Sequence, residues 1–261
     1  MLLKVEDVGK IYRVGNQEVA ALRHVSLNVD ERAFLAIAGP SGSGKSTLLN
    51  LIGLIDKPSS GRIAIDGTVV SDRTPDELAA MRARSIGFIF QTFNLLPVLS
   101  AEENVEYPLL QFSELTGAQR RERVRHYLDV VGLAAHARHR PNQLSGGQRQ
   151  RVAIARALAT HPRLILADEP TANLDHKTGG RILRLMRKLN RTSGTTFVFS
   201  THDPQVLEMA DRRVDLEDGE IVRLGVRDGK DWSYAFERRP LADEMQGTLG
   251  NRVRAGRVSS A

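Results

Sequence analysis

Hydrophobic and polar positions alternate in the first part of the chain and then change period. "LLKVEDV" at 2–8 and "VAALRHVSLNV" at 19–29 show the partial period-two alternation of half-buried strands. "AFLAIAG" at 33–39 is apolar throughout, the pattern of a strand covered on both faces. "KSTLLNLIGLI" then has helical periodicity, and "SSGRIAIDGTVV" returns to strand and turn. After "IGFIFQ" at 86–91 the helical period takes over. "SAEENVEYPLL" opens on a capping-box pattern, Ser100 followed by Glu103, and "GAQRRERVRHYLDVVGL" brings Val124, Leu128 and Val131 to one face. Strand and helix alternate beyond that: "RLILADEP", "TGGRILRLMRKLN", "TTFVFSTHD", and "PQVLEMA" with proline in its first turn.

This order predicts an α/β fold with a mostly parallel sheet, an antiparallel β segment at the N-terminus, and a helical subdomain inserted at about 92–160. The expected domain covers residues 1–225. From about 226 the periodicity weakens, with seven basic and five acidic residues, and the last twenty residues of this C-terminal extension, 226–261, are expected to be disordered. Trp232, Tyr234 and Phe236 recur at i, i+2 and i+4, which predicts a short edge strand packing back on the domain.

Composition changes the picture little. A chain of 261 residues that is 41% apolar can build a full core. The formal net charge of +6 suits nucleotides, nucleic acid or an anionic membrane, and equally a solvated surface. Cysteine is absent, which excludes a disulfide framework, a zinc–thiolate site and a thiol nucleophile. Charges begin at Lys4 and the apolar runs are short, so neither a secretory leader nor a membrane span is expected.

The chemistry concentrates in two glycine-containing segments. In "GPSGSGKST", Gly39, Gly42 and Gly44 permit the close backbone approach that lets successive N–H groups face phosphate oxygens, with Pro40, Ser41 and Ser43 between them. Lys45 is placed to bridge the β and γ phosphates, Ser46 to ligate Mg²⁺ and Thr47 to hold the α phosphate of a nucleotide such as ATP. The apolar run "LILADEP" ends in Asp168, a second candidate Mg²⁺ ligand, and Glu169, which can polarise a water. Gln91 and His202 each end a strand, where Gln91 can reach Mg²⁺ or the attacking water and His202 the γ-phosphate; Tyr12 can stack on adenine. "LSGGQ" at 144–148 is a second anion grip: Ser145, Gly146, Gly147 and Gln148 open a helix whose N–H groups favour phosphate.

Together these residues resemble the ATP-binding cassette family, the ATPase subunits of ABC transporters, over residues 1 to about 225. "GPSGSGKST" is similar to Walker A, Gln91 to the Q-loop residue, "LSGGQRQRVAIARAL" to the signature and its helix, "RLILADEP" to Walker B, "ANLD" at 172–175 to the D-loop, His202 to the switch histidine and Tyr12 to the A-loop aromatic. The resemblance implies why one chain carries two phosphate grips. Two copies pair head to tail, each signature serves the neighbour's ATP, and Asp175 couples the two sites. It also implies an integral membrane permease on another chain, docking near Gln91, and a location on the cytoplasmic face of the membrane. "FQTFNLLPVLSAEENVEYPLL" at 90–110 is similar to the lipoprotein-release and macrolide-export branch, which implies export or extraction. The alternative is a soluble ATPase of the same family acting on nucleic acid or ribosomes. Its usual long or zinc-bearing insertion and second cassette are missing here, so no nucleic-acid partner is expected.

Overall fold

The computed structural model describes residues 1–229 and 231–237. In chain order its elements are β1 (Leu3–Val14), β2 (Gln17–Val29), β3 (Phe34–Ala38), α1 (Lys45–Ile52), β4 (Ser60–Ile65), β5 (Thr68–Val69), α2 (Pro75–Ser85), β6 (Ile86–Ile89), α3 (Ala101–Glu106), α4 (Gly117–Val130), α5 (Gly146–Ala159), β7 (Leu164–Asp168), α6 (His176–Ser193), β8 (Thr196–Ser200), α7 (Pro204–Met209), β9 (Arg212–Glu217), β10 (Glu220–Asp228) and β11 (Asp231–Glu237). One sheet is antiparallel, in the order β2-β1-β4-β5. The other runs β11-β10-β9-β3-β8-β7-β6, with β9, β3, β8, β7 and β6 parallel and the last hairpin antiparallel at one edge. The fold is the α/β arrangement that the alternation of elements predicts.

The central strands explain their unbroken apolar sequence. In β3, Phe34 and Ala36 enter a core with α4, α5 and α6, whereas Leu35 and Ile37 enter one with β1, β2 and α1. Strand β7 divides likewise, Ile165 and Ala167 to the helical side, Leu164 and Leu166 to the other. A strand with a core on each face has no polar position to alternate with. Phe34 and Phe199 centre the helical side, their rings 4.6 Å apart.

Helix starts follow local chemistry. The Ser100–Glu103 box is formed, with the Ser100 N–H donating to Glu103 Oε2 at 2.6 Å and the Glu103 N–H to Ser100 Oγ at 3.3 Å. Helix α3 stops at Glu106, and Tyr107–Gln111, which contains Pro108, continues as a 3-10 turn. Helix α2 was not foreseen. Its signal is the short string "TPDE", in which Thr74 caps the helix, Pro75 takes the first position and Glu77 closes a capping box. Between β6 and β7 the chain is helical apart from its loops, with α3, α4 and α5 packed on one another.

The expected break near residue 226 falls inside β10, which runs to Asp228 and pairs with β11. Pairing across a hairpin holds these strands where alternation is weak. Trp232 is half-buried against the helical-side core and Tyr234 is exposed, on the predicted edge strand. The last twenty residues lie outside the described residues. Among the described residues no helix is long and apolar enough to cross a membrane.

Candidate functional site

At the C-terminal edge of the parallel strands, a cleft of about 720 Å³ is lined by the 39–47 loop together with Gln91, Asp168, Glu169, Ser200 and His202. The sheet order is what gathers them, because the loop leaves β3, Asp168 and Glu169 end β7, His202 follows β8 and Gln91 follows β6. Ligands bind at this edge of open parallel sheets, where loops diverge and backbone groups are free.

The loop is tightly specified. Gly39, Gly42 and Gly44 have φ of 152°, 82° and 99°. A Cβ on Gly39 would lie 2.1 Å from the Leu216 carbonyl oxygen, so only glycine fits. Gly44 caps α1, and the Lys45 ammonium donates to the carbonyls of Gly39 at 2.8 Å and Pro40 at 2.7 Å, closing the loop on itself. Ser46 Oγ stands 3.4 Å from Asp168 Oδ2 and 3.5 Å from Oδ1. A hydroxyl and a carboxylate converging beside a phosphate loop are hard oxygen donors and fit a magnesium ion completed by phosphate oxygens and water.

Glu169 has φ +44°, an αL conformation that is uncommon for a residue other than glycine. Its N–H donates to the Ser200 carbonyl at 2.9 Å, so the adjacent strand fixes the turn. The carboxylate is 15% exposed; Oε1 meets His202 Nδ1 at 2.6 Å and Oε2 accepts from Thr201 Oγ1 at 3.3 Å. With Glu169 ionised, the His202 proton sits on Nδ1. The arrangement can accept a proton from water at the cleft and hold the resulting acid in place.

Tyr12 lies beside the cleft without lining it. It is the cross-strand partner of Val19, which does line the cleft and is 49% exposed. The Tyr12 hydroxyl donates to Asp56 at 2.9 Å, and the Lys10 ammonium sits 4.8 Å from the ring centroid. Burial and the Asp56 carboxylate push the Tyr12 hydroxyl above its ordinary value. Burial opposes the ionised form of Asp56, but hydrogen bonds from Lys10 and Tyr12 outweigh it and hold that carboxyl below the ordinary range. Lys10 and Asp56 were not foreseen, because nothing local marks them.

The signature residues stand apart. Ser145 caps α5 and pairs reciprocally with Gln148, the Gln148 N–H donating to Ser145 Oγ at 3.3 Å and the Ser145 N–H to Gln148 Oε1 at 2.8 Å. A Cβ on Gly147 would come within 2.6 Å of Thr178 Cγ2 on α6. None of Ser145, Gly146, Gly147 and Gln148 lines the cleft, nor does Asp175, which caps α6 by accepting from the Thr178 N–H at 3.0 Å. Hydrogen bonds from the Thr178 hydroxyl, then from its N–H, hold the Asp175 carboxyl below its ordinary value. Two connecting side chains were also missed. Asn173 Nδ2 donates to the Gln91 carbonyl at 2.8 Å, and the fully buried Gln150 donates to the Pro170 carbonyl at 2.6 Å.

A family model described as ABC transporter matches residues 22–172, more than half of the chain and including the phosphate loop, Asp168 and the signature. The chain belongs to the ABC transporter family. It is an ATP-binding cassette with ATP-hydrolysing chemistry. The cassette is 49% identical over 225 residues to an uncharacterized ABC transporter ATP-binding protein of Methanocaldococcus jannaschii, MJ0796, covering 85% of this chain and 96% of that protein. It is 47% identical over 219 residues to the lipoprotein-releasing system ATP-binding protein LolD of Bordetella pertussis, with 84% and 94% coverage. It is 49% identical over 221 residues to the macrolide export ATP-binding/permease protein MacB of Syntrophobacter fumaroxidans, where it spans 31% of the longer protein. A solved dimeric structure of MJ0796 in a post-hydrolysis state with ADP and Pi superposes with a TM-score of 0.81 at 48% identity, covering 87% of this chain and all, 100%, of that one.

Proposed function

We propose that two copies of this cassette close head to tail around ATP and that the closure drives a membrane permease carried on another chain. The observation that carries the reading is the separation of the two phosphate grips: Ser145–Gln148 line no part of the protomer's own cleft. A neighbour related by a twofold axis can bring its signature to that cleft, and an isologous pair does so twice. The dimeric solved relative supports this arrangement.

Within each cleft, Lys45 exchanges its loop carbonyls for the β and γ phosphates, while the loop N–H groups and Thr47 hold the rest of the chain of phosphates. Ser46 and Asp168 would hold magnesium, with Gln91 nearby, and the ion neutralises phosphate charge when bound. Glu169 takes the proton of the attacking water, and His202 orients Glu169 and meets the γ-phosphate. Tyr12 and Val19 offer the base an apolar edge. Across the interface, Ser145, Gly146, Gly147 and Gln148 complete the phosphate shell and Asp175 links the two sites.

The inserted helical segment 92–160 receives a cytoplasmic element of the permease near Gln91. The protein then sits peripherally on the cytoplasmic face of the membrane. Similarity to both LolD and MacB supports an exporter or extractor.

Sedimentation of Glu169→Gln with excess MgATP tests the pairing. A dimer is expected, and adding Ser145→Glu, which sets a carboxylate against the neighbour's γ-phosphate, should return it to monomer; a dimer indifferent to Ser145→Glu refutes the head-to-tail arrangement. Mass spectrometry of the complex recovered from native membranes should find a multi-span protein. Recovery of ribosomes or nucleic acid without one refutes the transport role.

A further inference from the structure

Away from the nucleotide cleft, α6, the α7–β9 junction and the turn after β10 enclose a second cleft of about 650 Å³. Arg184, Arg187, Lys188 and Arg191 reach it from α6 and Arg227 from β10, against only Glu208 and Asp211. Arg187 is occupied, donating to both Asp211 oxygens at 2.6 and 2.5 Å. Arg227 lies 5.8 Å from the ring centroid of Trp232 and donates to the Gly229 carbonyl. Arg184, Lys188 and Arg191 are exposed, and among the described residues none of them forms an ion pair.

The sequence of α6 makes this arrangement costly unless something answers it. The helix contains no acidic residue, so its cations at 181, 184, 188 and 191, three or four apart, repel one another with no intervening carboxylate. A solvated helix face is ordinarily laced with charges of both signs. Here the like charges border a concavity rather than a flat ridge, and arginine predominates. A guanidinium fork matches phosphate oxygens two at a time, which an ammonium does not. Arg184 and Arg191 are seven residues apart, about 10 Å along the helix, a span that one compact ligand with several phosphates can bridge.

We propose that this cleft is a second anion site, separate from the nucleotide site, which binds a soluble ligand bearing two or more phosphates. Arg184, Lys188 and Arg191 supply the charge, Arg227 closes the far wall, and the Arg187–Asp211 pair holds the floor. The proposal does not depend on which permease the cassette serves. It assigns the positive charge of α6 to a ligand rather than to the ATP interface.

The chain has a single tryptophan, Trp232, and its contact with Arg227 makes it a reporter. Titrate tripolyphosphate into the full-length protein in a Lys45→Ala background, which silences the nucleotide cleft, and follow Trp232 fluorescence with calorimetry in parallel. Saturable binding is expected, weakened about tenfold or more by Arg184→Glu with Arg191→Glu. The same charge change at two exposed arginines elsewhere, Arg62→Glu with Arg125→Glu, should leave the affinity unchanged, and circular dichroism should show both doubles folded. Equal weakening by the control pair, or no saturable heat or quench, overturns the site. Binding to phosphatidylglycerol vesicles through Arg184 and Arg191 without binding tripolyphosphate also overturns it, making the surface a membrane contact.

Discussion

Replacing Glu169 by Gln separates the chemistry of the cleft from its architecture. The side chain keeps its length and volume. If the amide oxygen takes the place of Oε1, it still accepts from His202 Nδ1, now 2.6 Å from the carboxylate, and the amide nitrogen faces Thr201 Oγ1, which can accept in turn. The geometric loss is the charge assistance of the His202 bond, worth about 1 kcal/mol. For a chain of this size that lowers the melting temperature by about 2–4 °C, so the variant is expected to fold. The chemical loss is larger. An amide cannot take the proton of the attacking water, and general bases contribute about 10²–10⁴ in rate, or roughly 3–5 kcal/mol of barrier. Single-turnover hydrolysis at saturating MgATP, with nucleotide affinity measured alongside, is therefore expected to slow by at least about 100-fold while ATP binds within about threefold of wild type. A folded variant that hydrolyses within about tenfold of wild type would show that the proton goes elsewhere.

Two further outcomes follow from particular contacts. Gly147→Ala places a methyl group 2.6 Å from Thr178 Cγ2 and should destabilise the protein by about 1–3 kcal/mol in urea titration, with partial recovery on adding Thr178→Ser, which removes that methyl. A Gly147→Ala protein as stable as wild type would mean that α5 and α6 can part at no cost. The Thr74 backbone N–H, then Arg73, lower the Glu77 carboxyl from 4.5 to about 2. Its folded value lies below its unfolded one, so the stabilisation is present above pH 4.5 and lost as pH falls toward 2; Glu77→Gln should flatten the stability profile in that window, and an unchanged acid limb would remove the box from the account.

The nucleotide cleft was legible because its parts are local in sequence. The loop at 39–47 must join a strand to a helix whatever the remainder does, and Asp168, Glu169 and His202 end strands whose apolar runs announce them. Helix α2 was equally local, in "TPDE", just past the stretch read as strand and turn, and was overlooked. Asn173 and Gln150 were not legible in the same way. Their partners, the Gln91 and Pro170 carbonyls, are backbone atoms that any sequence would supply. A glutamine at an inward position of α5 was the available hint that something buried needed a donor. At the C-terminus, pairing with β9 holds β10 in the sheet although its own pattern is weak, so the composition beyond 225 understated the sheet.

Gln150 gives the molecule a common root. Its amide reaches from the second turn of α5 to the carbonyl of the residue after Glu169, so the turn that carries Glu169 and the helix that opens on Ser145 are tied at one buried point. A protomer cannot tilt its signature toward a partner without straining that bond or carrying the Pro170 turn along. In the proposed head-to-tail pair, each half therefore registers its neighbour's grip as a tug on the turn that carries its own Glu169.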